Sequence, residues 1–292
     1  MTQSAAEFAR THGEEFYYYV VRNLFEKTNS TLYPRHSARE LLFEGYEDPI
    51  LSEGHGVIDI PFDKFGWFYG RNGTSTDGVY EMWTGKSDIS TLGRLHSWNN
   101  QTELALNASC KSFDGVSAGD LHPPYPEPVY QEIKLFVGDI CRPLTLRSAG
   151  QVDHAGVTSS RFTVDHTTFD YDREENKCYC FGEDGQCPAN GVANVSACVF
   201  NTPAAISLPH FLHADPIFRQ RVHGFNPDPS IHTFYMDVMT ELGAPVGIQA
   251  AMQINIVLKR DERLSFTTLA KDYETYYPVF YFITVSRIQV SS

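Results

Sequence analysis

No stretch of this 292-residue chain is apolar for long enough to cross a bilayer as a helix. Its longest aromatic and aliphatic run, PVFYFITV at 278–285, falls far short of the roughly 18 residues that a spanning helix needs. Residues 1–20 carry Glu7, Glu14 and Glu15 and no basic segment followed by an apolar one, so no secretory leader is expected there. A basic excess is also lacking. Twenty-three Lys and Arg stand against 36 Asp and Glu, a net charge of −13, and without clustered cations to neutralise phosphates a nucleic-acid partner is excluded. There is no Gly-rich phosphate loop, no His-Glu-x-x-His pairing, no internal repeat and no low-complexity tract. No cofactor and no metal site is expected, and His210, His213 and His232 read as structural or surface residues.

What is present begins with an average composition, 42% hydrophobic, on a chain long enough to bury a full core. Six cysteines accompany five Asn-x-Ser/Thr sequons, at Asn29, Asn72, Asn100, Asn107 and Asn194. Together they favour an extracellular or lumenal setting, where side-chain amides are glycosylated and thiols oxidise. Cys178, Cys180, Cys187 and Cys198 crowd one polar segment. The single residue between Cys178 and Cys180 is a poor spacing for zinc, which prefers two to four. Those two cysteines are expected to take different partners, and the loop FGEDGQ lets Cys180 close on Cys187. The remaining connectivity stays open, since six cysteines allow 15 pairings.

Two capping boxes, Thr11 with Glu14 and Ser37 with Glu40, each predict a helix start. The first helix would carry Tyr17, Val20, Val21, Leu24 and Phe25 at helical spacing; the second would carry Leu41 and Leu42 and stop at Gly45 and Pro49. Beyond Pro49 the texture is β, with short Val, Ile, Phe, Tyr and Thr segments between Gly, Pro, Asn and Asp. The clearest strand is VGIQAAMQINIVLK. Val246, Ile248, Ala250, Met252, Ile254, Ile256 and Leu258 share one face, and Gln249, Gln253, Asn255 and Lys259 the other. An apolar face of that length is either packed core or the wall of an apolar cavity.

Candidate chemistry is sparse. GVSAG at Gly115–Gly119 matches the Gly-x-Ser-x-Gly nucleophile elbow, yet Ser117 is preceded by the polar NASCKSFD and followed by the Pro-rich DLHPPYPEP. The motif requires a strand before and a helix after, so a serine hydrolase is only a remote alternative and the chain is not expected to be an enzyme. Residues 1–40 are the least acidic part, with Arg10, Arg22, Lys27, Arg35 and Arg39 balancing five acids.

The segments RELLFEGYEDPIL, NGTSTDGVYEMWTGKSDIS, FVGDICR, CYCFGEDGQC, AISLPHFLHADP, GFNPDPSIHTFYMDV and MQINIVLK, in this order, resemble the class B scavenger receptor family. The resemblance covers most of the chain. It implies an α+β ectodomain: an irregular antiparallel β-barrel with short helices, an apical helical cluster, an internal apolar tunnel and three disulfides, Cys110 with Cys178, Cys141 with Cys198 and Cys180 with Cys187. Residues 1–48 would form part of the apical cluster and 49–292 the barrel portion of a single ectodomain fragment. Both membrane anchors of the family pattern, and an N-terminal share of its ectodomain, are missing from this chain. The departure KSFDGVSAGDLHPP replaces a more regular family segment after the first cysteine.

By that resemblance the function would be to bind lipids, lipoproteins or modified anionic ligands at the apex, through Lys27 with Arg22, Arg35, His36 and Arg39. Hydrophobic cargo would then pass along a tunnel lined by Ile248, Met252, Ile254 and Ile256 toward the membrane. The setting would be the plasma membrane or the lysosomal membrane, with this region outside or in the lumen. The alternative is a trafficking receptor for a protein ligand such as a lysosomal hydrolase, in which His12 and His36 would make binding acid-sensitive.

Overall fold

The computed structural model describes residues 2–29, 34–53, 63–71, 78–104, 112–124, 131–154, 156–180, 187–198, 202–264, 267 and 274–287. The chain forms two compact units. One comprises Met1–Asp77, Ser196–Ala204 and Ile256–Tyr277; the other comprises Gly78–Val195, Ala205–Asn255 and Pro278–Ser292.

The first unit is helical. Helices α1 (Thr2–His12) and α2 (Glu15–Thr28) pack together, and the short α3 (Pro49–Glu53) comes after them. Helix α1 escapes sequence reading because its buried face is Ala5, Ala6 and Ala9, all fully inaccessible, where periodicity arguments look for large side chains. Small residues let α2 approach and bury Tyr18, Val21, Leu24 and Phe25, with Ile50 and Leu264 closing the cluster. The Tyr18 hydroxyl donates to Asp261 Oδ2 at 3.0 Å, and burial followed by the Asp261 hydrogen bond pushes its pKa up to about 12.

The first capping box does not form. Thr11 lies in the last turn of α1, where its hydroxyl donates to Glu7 O at 2.9 Å, and Glu14 precedes α2 without a side-chain cap. The i−4 carbonyl is nearer than any free amide, so the hydroxyl bonds backward. The second box does form: Glu40 Oε2 accepts from Ser37 N at 2.9 Å, and Ser37 Oγ accepts from Glu40 N at 3.2 Å. It opens a wide π-turn, Glu40–Glu44, closed by Gly45 N donating to Glu40 O at 3.0 Å. Pro49 starts α3 rather than only ending the turn before it, with Asp48 Oδ1 accepting from Ile50 N at 2.9 Å.

The second unit holds a two-stranded ribbon, β1 (Tyr80–Met82) with β2 (Leu95–Trp98). It also supplies most of a nine-stranded sheet: β3 (Val116–Ser117), β4 (Glu132–Val137), β5 (Arg142–His154), β6 (Val157–Thr163), β7 (Val192–Asn194), β8 (Ala204–Ser207), β9 (Tyr235–Met239), β10 (Ala244–Lys259) and β11 (Glu274–Arg287). Its order is β3-β4-β5-β6-β9-β10-β8-β7, with β11 also paired to β10. The β3/β4 pair is parallel, whereas β4/β5, β5/β6, β6/β9, β9/β10 and β7/β8 are antiparallel. Cross-strand pairs such as Ile133 with Leu146, Leu135 with Leu144 and Phe162 with Met236 are buried and build the core. Short helices α4 (Glu174–Lys177), α5 (Ile217–Arg221) and α6 (Pro229–His232) lie between strands.

The closed barrel is corrected to a large open sheet in a mixed α+β fold. Among the described residues the terminal strands β3 and β7 do not pair with each other, and at two and three residues they offer too short a ladder for closure. Cys180 and Cys187 are joined, as the loop between them suggested. Cys141, Cys178 and Cys198 are also disulfide-bonded. Cys110 lies outside the described residues, so of the three expected pairings only this one is seen directly.

Candidate functional site

Strand β10 is 16 residues long, roughly 50 Å at about 3.3 Å per residue. Its alternation is as the sequence reads, but its two faces are not buried as a packed apolar core would have them. The polar side is the more deeply buried: Gln249, Gln253 and Asn255 are 9%, 1% and 0% exposed. Ile248, Ile254 and Ile256 are only partly buried, while Met252 on the same side is buried.

Burial of amides demands partners, and each is satisfied. Gln249 Nε2 donates to Ile231 O and Thr233 O at 3.0 and 2.9 Å. Gln253 Oε1 accepts from His210 N at 2.9 Å, while its Nε2 donates to Asn255 Oδ1 at 2.9 Å and to Ser207 Oγ at 3.2 Å. Asn255 Nδ2 donates to Ser207 Oγ at 3.1 Å and Ala205 O at 3.3 Å. This ladder binds β10 to β8 and to the turn SLPHFLHADP, where His210, Phe211 and His213 all adopt positive φ, 56°, 55° and 61°. Such backbone is unfavourable for residues with a Cβ, and Gln253 holds it by taking the His210 amide.

On this polar side the His210 ring stacks on His232 and meets the edge of Tyr281 of β11. Strand alternation therefore turns Phe280 and Phe282, both partly buried, to the side of Ile248 and Ile254. A half-covered apolar face results, backed by a fully bonded polar one. That arrangement can hold an acyl chain by surface contact and has no group placed for covalent chemistry.

The expected apical cations are exposed but each of three has a carboxylate beside it. Lys27 pairs with Glu53, Arg39 Nη1 lies 3.5 Å from Glu44 and Arg22 Nη2 lies 3.9 Å from Glu15. Five positions apart on α2, Arg22 and Lys27 point about 140° apart around the axis. Arg35 is exposed, and His36 stacks on Tyr46 with centroids 3.7 Å apart. Helix α2 instead exposes Phe16 and Tyr19, 64% and 62% accessible.

Asn29 and Asn100 are exposed, both at positive φ. Asn194 lies half-buried in β7, and Asn72 and Asn107 fall outside the described residues. Ser117 is a buried strand residue whose hydroxyl donates to Leu121 O at 2.8 Å and accepts from Gly119 N at 2.9 Å. Residues 118–124, directly after it, are not helical, so the elbow geometry is absent among the described residues. Among the described residues no helix is long and apolar enough to cross a membrane.

Comparison with known proteins places these features in a family. The model described as the CD36 family matches residues 2–291. Protein peste of Drosophila melanogaster is 34% identical over 232 residues, covering 75% of this chain and 40% of that protein. Scavenger receptor class B member 1 of Rattus norvegicus is 31% identical over 222 residues, 74% of this chain and 42% of that protein. Lysosome membrane protein 2 of Rattus norvegicus is 28% identical over 243 residues, 82% and 50%. The chain thus spans half or less of the length of these relatives.

Proposed function

This chain belongs to the CD36 family, and we propose that it is ectodomain from a membrane-anchored receptor of the cell surface or lysosome that binds lipid or lipoprotein and passes hydrophobic cargo along the apolar face of β10. The observation that carries this reading is the burial of β10: its amides are consumed by the ladder to β8, leaving Ile248, Ile254 and Ile256 incompletely covered. Incomplete cover over apolar side chains is what a lipid passage requires and a packed core avoids. Cys110 with Cys178 and Cys141 with Cys198 complete the proposed disulfide framework.

The test is to express the chain through a secretory pathway, extract the purified protein with organic solvent and identify the lipids by mass spectrometry. Fatty acid or sterol ester near one per chain is expected, and the bulky Ile254→Trp should displace it. Lipid-free protein, or lipid retained unchanged in Ile254→Trp, would overturn the passage.

A second reading is supported by α2. Its cations are paired with acids while Phe16 and Tyr19 stand exposed, a surface better matched to a protein ligand than to an anionic particle. Replacing Lys27 and Arg35 by Glu in the full-length receptor should then leave ligand uptake intact, while Phe16→Ala with Tyr19→Ala should abolish it. The opposite pattern would restore the cationic apex.

A further inference from the structure

The segment that departs from the family pattern forms one wall of a cavity of about 210 Å³, lined by Arg94, Ser117, His122, Glu132, Ile133 and Lys134. Its floor is fixed by backbone. Gly93 and Gly243 both have positive φ, and a Cβ at either would collide with the Leu121 or His122 carbonyl oxygen, at 2.0 and 1.7 Å. His122 N also donates to Gly243 O at 2.7 Å. The loop is thus clamped, and the imidazole it carries is 3% exposed with no hydrogen-bond partner for Nε2.

That nitrogen has no accessible surface, so it faces protein and not the open space. The other lining groups decide what the space can hold. The Ser117 hydroxyl is already engaged as donor and acceptor. Glu132 Oε2 accepts from Arg147 Nη1 at 2.7 Å, a guanidinium that it shares with Asp165 and Glu175. Arg94 Nε donates to Ser90 O, and its Nη1 lies over Gly115, 3.2 Å from where a Cβ would stand. Lys134 has no ion pair among the described residues. Two cations, Arg94 and Lys134, therefore line the space against one carboxylate, Glu132. Burial first, and Arg94 second, hold His122 down to about 4, so at neutral pH the ring carries no charge.

We propose that this cavity binds a small oxyanion, a carboxylate or phosphate group, gripped by Arg94 and Lys134 beside the buried His122 ring. A volume of about 210 Å³ is ample for a small anionic group. The inference does not depend on the β10 passage, which lies on other strands.

The experiment labels the histidine rings of the secreted chain with ¹⁵N and follows them by NMR during titration with acetate, inorganic phosphate and oleate. A saturable shift of the His122 nitrogens by acetate or phosphate is expected, weakened about tenfold or more in Lys134→Met and in Arg94→Met and unchanged in Lys27→Met. A shift by oleate and by neither small ion would assign the site to a lipid head group, within the same chemistry. No saturable shift with any of the three, or equal affinity in both lining variants when their other histidine signals show them folded, would overturn the proposal.

Discussion

His210 and His232 stack face to face, with ring centroids 4.4 Å apart and planes 9° from parallel. Each Nδ1 accepts a backbone amide, from Asn226 at 3.0 Å and from Asp228 at 2.9 Å. An imidazole that accepts at Nδ1 must be neutral, with its proton on Nε2. Burial, and then the His232 ring, hold His210 below its ordinary 6.5. A depressed histidine pKa gives stability that is present above about 6.5 and lost as pH falls below it, because the unfolded chain takes up the proton first. Thermal melts between about pH 7 and pH 5 should show a fall in Tm that shrinks by several degrees in His210→Gln, which keeps an acceptor. Parallel pH profiles for the two proteins would remove the pair as an acid-sensitive element.

The ladder behind β10 makes a second expectation. Gln253→Leu leaves the His210 amide and Asn255 Oδ1 without their partner in a dry setting, a loss of about 1–3 kcal/mol. Ile254→Val, on the partly covered side, should cost less than about 1 kcal/mol. Denaturant unfolding that ranks the two the other way would mean that the apolar face is the real core.

Asp237 is fully buried and accepts from Arg161 Nε and Nη2, both at 2.7 Å, with His154 Nε2 at 2.8 Å. Removing its carboxylate leaves the partly exposed Arg161 and the His154 ring without their acceptor, so Asp237→Leu should lower stability by on the order of 1–3 kcal/mol and reduce secreted yield. A variant within about 1 kcal/mol of the parent would show that the pair is replaceable by apolar packing.

Arg142 presents the opposite case. It is 2% exposed, lies 3.9 Å above the Tyr179 ring and donates Nη2 to Asn176 Oδ1 at 2.7 Å, while Nε and Nη1 have no partner. Burial lowers its pKa without a carboxylate to restore it. A buried cation without a countercharge is replaceable, so Arg142→Met should be neutral or stabilising, whereas Arg142→Lys, losing the planar stack, should destabilise. Equal losses in both variants would contradict this.

Alternation along β10 was legible in the sequence, as were the Ser37–Glu40 cap and the Cys180–Cys187 closure. Which face of β10 is buried was not, because hydropathy cannot register that Ser207, the Ala205 carbonyl and the His210 amide, all distant in sequence, would satisfy Gln253 and Asn255. Helix α1 was missed for want of large side chains, and Thr11 misled because the same Ser/Thr chemistry serves the last turn of a helix as well as the first. The His122 cavity carried one faint mark in the sequence: the segment around it departed from the family pattern.

Gly93 and Gly243 grip the backbone at Leu121 and His122 so closely that the Cα bearing the imidazole is set in place by main chain. Charge in the lining at 94, 132 or 134 is therefore open to variation without moving that stretch of backbone, and selectivity among anions can change while this wall of the pocket keeps its course.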